Sequence, residues 1–218
     1  MAFAEQSPDL TMKVILLGDA SVGKTCLLSQ YINGVFSEMG QATVGVGYGA
    51  KNLEIRGKSV RLQIWDTVLP TQAGQEAFRS ITRSFYRGAN AACVVYSIAI
   101  KASFQSLQQW ISDLRAQSEG KIRVYLLGNM SDLETHREVE LKAGKSLADR
   151  LGLNGFYEVS AKTGENVSAA FNSLAEATFI QICALQAEGN RDSGPPHDMA
   201  NSLPLSVSKP VKPGGCCK

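Results

Sequence analysis

Gly18-Asp19-Ala20-Ser21-Val22-Gly23-Lys24-Thr25 lies directly after an apolar run at 13–17 and directly before a helical pattern opening at Cys26-Leu27-Leu28. Two glycines bracketing four residues and followed by Lys-Thr form a P-loop pattern, and the strand before it and the helix after it are the context that pattern needs. Gly18 and Gly23 permit a backbone that wraps the amides of Asp19, Ala20, Ser21, Val22 and Gly23 around phosphate oxygens. The helix start at Lys24, Thr25 and Cys26 adds its positive dipole end. Lys24 is then expected to reach the β and γ phosphates of a nucleotide, and the Thr25 hydroxyl to bind Mg²⁺.

Outward from this loop, strand-like runs recur at 51–55, 60–65, 91–97, 124–128 and 155–159, alternating with longer helical patterns. With 13–17 they predict an α/β domain, a P-loop NTPase built on a mixed six-stranded sheet flanked by helices. Arg56-Gly57-Lys58-Ser59 reads as a tight turn, which makes its two flanking runs one antiparallel hairpin in an otherwise parallel sheet. Phe104, Leu107, Ile111 and Leu114 recur at helical spacing, as do Leu147, Ala148 and Leu151, and Phe171, Leu174, Thr178 and Ile182. All three stripes read as core packing.

The domain is expected over 13–185, after a short extension at 1–12 and before a tether at 186–218. Five of the seven prolines lie between Pro195 and Pro213, mixed with Gly, Ser and Asn, so this stretch is expected not to offset its ordering entropy by burial. The chain of 218 residues is 44% hydrophobic, enough for one substantial core. A net charge of +2 is too mild for a nucleic-acid binder. Residues 1–12 lack the apolar stretch of a secretory signal and no run approaches a membrane span, so synthesis in the cytosol is expected. Cys26, Cys93 and Cys183 read as packed thiols in apolar surroundings, while Cys216 and Cys217 stand apart in the tail, and no spacing suggests zinc or a disulfide framework.

A P-loop alone leaves ATPases, nucleotide kinases and GTPases open, so the elements that read the base must discriminate. Leu127-Gly128-Asn129-Met130-Ser131-Asp132 follows one apolar strand, and Ser160-Ala161-Lys162 ends the next. There Asp132 can accept two N–H bonds from guanine, which adenine cannot offer, and the Ala161 amide can donate to the guanine oxygen. A nucleotide kinase would leave these residues without a purpose. In these motifs the chain resembles the Ras superfamily, whose guanine motif is Asn-Lys-x-Asp followed by Ser-Ala-Lys. Asn129, Asp132, Ser160, Ala161 and Lys162 match it. Met130 stands where the family has Lys; it keeps the apolar stem that lies along the base and loses the ammonium, which predicts weakened affinity with guanine preference retained.

The resemblance implies further roles. Phe36 and Thr43 fall 12 and 19 residues beyond Lys24, where the family sets an aromatic edge against the base and a switch threonine that binds Mg²⁺ by its hydroxyl and the γ-phosphate by its amide. Asp66 is the metal-side aspartate, and beyond it the Gly74 amide would bind the γ-phosphate while Gln75 positions water for GTP hydrolysis to GDP, with Lys24 stabilising charge. The family runs from the aspartate straight into Thr-Ala-Gly-Gln-Glu. This chain interposes Val68-Leu69-Pro70-Thr71-Gln72 before Ala73-Gly74-Gln75-Glu76. A misplacement of about 1 Å can cost on the order of a hundredfold in rate, so slow hydrolysis and a poor response to an activating protein are expected. A looped-out insert, a device that disables hydrolysis, and a splice or gene-model variant remain open.

Within the superfamily, Val44-Gly45-Val46-Gly47-Tyr48, Arg61-Leu62-Gln63-Ile64-Trp65, Ala77-Phe78-Arg79-Ser80-Ile81-Thr82, Phe85-Tyr86-Arg87-Gly88-Ala89 and Val94-Val95-Tyr96-Ser97-Ile98 each resemble a Rab segment with substitutions. Tyr48, Trp65 and Tyr86 are similar to the aromatic cluster that Rab proteins expose to effectors. Gly214-Gly215-Cys216-Cys217-Lys218 resembles a Rab ending in which both thiols carry geranylgeranyl groups, two chains being what stable anchoring takes. The resemblance therefore implies a monomeric switch in membrane trafficking, lipid-anchored on a cytosolic membrane face. Its partners would be guanine nucleotide, effectors, an exchange factor, a GTPase-activating protein, a GDP-dissociation inhibitor and the prenylation machinery. The alternative is a hydrolysis-poor GTP-binding scaffold that acts through effector binding.

Overall fold

The computed structural model describes residues 7–36, 46–67, 86–118 and 122–189. Six strands form one sheet: β1 (Leu10–Leu17), β2 (Val46–Ile55), β3 (Lys58–Thr67), β4 (Ala91–Ser97), β5 (Arg123–Asn129) and β6 (Gly155–Glu158), in the spatial order β2-β3-β1-β4-β5-β6. β2 runs antiparallel to β3 and every other pairing is parallel, the mixed sheet expected from the sequence. The hairpin turn is tighter than expected. Ile55 pairs with Lys58, leaving only Arg56 (φ 52°) and Gly57 (φ 75°) to reverse the chain. Positive φ at both central residues makes it a primed turn whose twist matches the strands, so Lys58 and Ser59 join β3.

Five helices are described: α1 (Lys24–Asn33), α2 (Lys101–Gln105), α3 (Leu107–Gln117), α4 (Leu141–Arg150) and α5 (Val167–Gly189). A 3-10 helix, Ser131–His136, follows β5. Alternation along β1 sorts the core into two layers. Met12, Val14 and Leu16 face α1 and α5, meeting Leu27, Tyr31, Phe171 and Leu174. Ile15 and Leu17 face the other way, joining Leu107, Ile111 and Leu114 of α3 and Leu147 and Ala148 of α4. β4 lies between the two layers and all seven of its residues are buried, the mark of a central parallel strand. Fully burying a side chain such as Ile111 or Leu114 contributes about 1.5–3 kcal/mol, so the packed stripes hold the helices where short local propensity could not.

Two expectations change. The stripe from Phe104 to Leu114 is divided at Ser106, where α2 ends and α3 begins. Cys93 is buried, but Cys26 is half-buried and Cys183 is exposed, because α5 carries apolar residues beyond its core-facing side. Thr178 fits its buried place by donating its hydroxyl to Leu174 O at 2.6 Å. Among the described residues, no helix is long and apolar enough to cross a membrane.

Candidate functional site

The loops after β1, β4, β5 and β6 and the end of β3 converge at the carboxyl edge of the sheet, where open α/β folds place their ligands. Gly18 leaves β1 at φ +134°, and a Cβ there would sit 2.1 Å from Val95 O on the neighbouring strand. Gly23 has φ +88°, and its Cβ would meet Asn129 Nδ2 at 2.3 Å. Both glycines are therefore demanded by close approach as well as by conformation. Between them Ser21 takes φ 63°, a left-handed conformation unusual for a residue with a side chain. α1 starts after Gly23 without a side-chain cap, so its N-terminus presents amides and a positive dipole to an anion.

Lys24 is buried, and its Nζ donates to Gly18 O at 2.9 Å and Asp19 O at 2.7 Å. Burial lowers its pKa, while Asp66 and then Asp19 oppose the shift. The Thr25 hydroxyl donates to Asp66 Oδ2. Asp66 is fully buried, and its Oδ1 has no hydrogen-bond partner. Burial raises its pKa, against the Thr25 hydrogen bond and the Lys24 charge. A hydroxyl beside an orphaned carboxylate oxygen fits a hydrated divalent cation, which would satisfy the lone pairs that protein atoms leave open. Among the described residues there is no cluster of three His, Cys, Asp or Glu. Thr43, Gly74 and Gln75, expected at this corner, lie outside the described residues.

Asn129 joins the phosphate loop to the base loops. Its Nδ2 donates to Val22 O at 2.8 Å, and its Oδ1 accepts from the Ala161 amide at 3.1 Å. Ser160 Oγ donates to Asp132 Oδ1 at 2.5 Å, and no other bond to the Asp132 carboxylate occurs among the described residues. A carboxylate held this way can accept two N–H bonds from a planar base, and the neighbouring Ala161 is buried while Lys162 is exposed. Met130 sits at φ 69°, with its Sδ accepting from Ser97 Oγ at 3.1 Å and its Cε 3.8 Å from where a Gly23 Cβ would lie. The thioether thus packs over the phosphate loop. Phe36 is half-buried against the layer formed by α1 and α5.

The aromatic residues expected to form one exposed cluster divide. Tyr48 is 49% exposed and stands edge-on to Trp65, its cross-strand partner, with ring centroids 5.0 Å apart. Lys13 Nζ lies 5.5 Å from the Trp65 ring centroid. Tyr86, by contrast, is 2% exposed and packs into the layer beneath α3, which corrects the expectation of a displayed side chain.

Sequence reasoning missed Ser106, Trp110 and Ser97, which touch the site, and Ser103, which reaches it through Ser97. Asp19 Oδ1 accepts from Trp110 Nε1 at 2.8 Å, and Asp19 Oδ2 accepts from Ser106 Oγ at 2.8 Å. Ser103 Oγ accepts from the Ser97 amide at 3.0 Å, and the Ser97 hydroxyl reaches Met130. The one signal in the sequence is the four-residue spacing of Ser106 and Trp110, which puts both on the same helical face.

A family model described as Ras family matches residues 13–180 of the chain.

Proposed function

The chain belongs to the Ras family of small GTPases, guanine-nucleotide-binding molecular switches, and on that premise we propose that it is of the Rab type, a trafficking switch carried on a cytosolic membrane face. The observation that carries the guanine-nucleotide part is the pair of hydrogen bonds by which Asn129 donates to Val22 O and accepts from the Ala161 amide, which makes the phosphate loop and the base loops one site. In this reading Asp132 selects guanine, the Ala161 amide reaches the guanine oxygen only by giving up its bond to Asn129 Oδ1, and the amides from Asp19 to Cys26 hold the phosphates. Mg²⁺, when bound at Thr25, Asp66 and Thr43, supplies the positive charge that neutralises the phosphate oxygens. Lys24 is already poised, held between two P-loop carbonyls.

The Rab assignment draws on the exposed Tyr48 ring stacked edge-on against Trp65, since aromatic anchors beside a switch segment suit effector recognition. It draws also on the five Rab-like segments and the paired Cys216 and Cys217, proposed as the sites of two geranylgeranyl groups.

Hydrolysis requires water to be held in line with the γ-phosphate, the role proposed for Gln75, with the Gly74 amide fixing that phosphate. The inserted 68–72 segment separates both from Asp66 and favours a second reading, a GTP-binding scaffold with impaired turnover. Single-turnover GTP hydrolysis by the full chain, beside a variant lacking 68–72 and a Gln75→Leu variant, distinguishes them. Hydrolysis by the native chain that Gln75→Leu abolishes supports the working switch; turnover only after deletion supports the scaffold.

A further inference from the structure

We propose that Ser106 and Trp110 are positioning residues for nucleotide retention: from one face of helix α3 and the residue that precedes it, they hold the Asp19 side chain, and with it the peptide that seats Lys24. The inference rests on the guanine-nucleotide reading above. Asp19 is engaged at both ends. Its carboxylate receives Trp110 Nε1–H on one oxygen and Ser106 Oγ–H on the other, each at 2.8 Å. Its main-chain carbonyl receives the Lys24 ammonium at 2.7 Å.

Both side-chain donors come from far along the chain, 87 and 91 positions away, so the contact ties the first turn of the phosphate loop to a different layer of the fold. A carboxylate next to bound phosphates is electrostatically unfavourable unless its charge is engaged elsewhere. Two donors, one on each oxygen, do that and also fix its direction. α3 is a firm base for the tether, because Leu107, Ile111 and Leu114 are buried beneath the sheet. Trp110 itself is only partly buried, packed at the margin of that layer. A Trp there covers apolar surface and uses its N–H at the same time.

The helix pair reaches the base loop as well. Ser103 of α2 accepts from the Ser97 amide, and the Ser97 hydroxyl donates to Met130 Sδ. The segment 103–110 therefore contacts the phosphate loop directly and the base loop through one intermediary. Movement of this segment would be felt by both ends of a bound nucleotide.

The test is the dissociation rate of a fluorescent GDP from the full chain in the presence of Mg²⁺, for the native chain, Trp110→Phe, Ser106→Ala, Asp19→Ala and the double variant Trp110→Phe with Asp19→Ala. Trp110→Phe keeps most of the ring and removes the donor. Release should quicken by roughly tenfold, the scale set by loss of one hydrogen bond to a charged group. Ser106→Ala, which leaves the ring in place, should quicken it in the same direction. In the Asp19→Ala background, Trp110→Phe should add almost nothing, since the hydrogen bond by which the Trp110 side chain holds the phosphate loop is already gone. Native release rates in Trp110→Phe and Ser106→Ala overturn the inference, and so does an acceleration by Trp110→Phe that persists undiminished without Asp19, which is what a merely structural Trp would give. A native chain that retains no guanine nucleotide defeats the reading beneath it instead.

Discussion

Asn129 and Val22, 107 positions apart in the chain, are joined by a hydrogen bond of 2.8 Å from the Asn129 side-chain amide to the Val22 carbonyl. The same side chain accepts the Ala161 amide at 3.1 Å, so one buried residue fixes the spacing between phosphate loop and base loop.

Replacing it should therefore disturb both loops. Asn129→Ala leaves a carbonyl and an amide without their partner in a buried place, at a cost of about 1–3 kcal/mol. Urea unfolding of the nucleotide-free protein measures this directly, and GDP release should quicken alongside. Unchanged stability and release together would show that the bridge has no part in organising the site.

Met130 gives a prediction of opposite sign. Met130→Lys restores an ammonium to the loop that packs over Gly23, and a charge-assisted contact of this kind should tighten guanine-nucleotide binding by about tenfold. Equilibrium titration with fluorescent GDP measures it, with ATP as the specificity control. If affinity falls, the thioether packing against Ser97 matters more than the missing charge.

At the metal corner, Asp66→Asn keeps an acceptor for the Thr25 hydroxyl and removes the negative charge. Mg²⁺ should then lose most of its power to slow nucleotide release. Comparing release with Mg²⁺ and with a chelator tests this. A native-like difference between the two conditions would place the cation elsewhere.

Alkaline pH should unfold the chain in a defined window. Burial pushes the Tyr31 and Tyr86 hydroxyls up to about 12 from 10.0, with Cys93 and Asp113 adding smaller upward effects respectively. A phenol whose folded pKa is raised stabilises the fold fully below its unfolded pKa, and that contribution is lost as pH rises through the folded one. Stability should thus fall between about pH 10 and about pH 12, followed by circular dichroism and phenolate absorbance together. Tyr86→Phe should move the transition upward; no movement would mean that Tyr86 does not couple ionisation to unfolding.

Much of this protein is legible in one dimension where a local rule does the work. The P-loop is a contiguous pattern whose glycines are needed by the backbone itself, as the 2.1 Å approach to Val95 O at Gly18 makes plain. Strand positions follow from alternating and continuous apolar runs, and the hairpin from a two-residue reversal with Gly57. The stretch from Asn129 to Asp132 is likewise contiguous. Boundaries proved less legible. The end of β2 and the start of β3 are settled by cross-strand pairing, which brought Lys58 and Ser59 into the sheet.

The display of an aromatic side chain was not legible at all. Tyr48 and Tyr86 are the same residue type, yet one projects from an edge strand and the other lies beneath a helix. The tether from Trp110 and Ser106 to Asp19 was hidden for a related reason, since it joins residues that no local spacing relates.

By itself, the sequence determined the P-loop pattern and the order of strands and helices along the chain, because each depends on neighbours within a few positions. Only the tertiary structure decided which polar groups share a partner, which oxygen of Asp66 is left without a hydrogen bond, and which aromatic ring faces solvent, because those depend on contacts between segments that meet only when the two core layers close around the sheet.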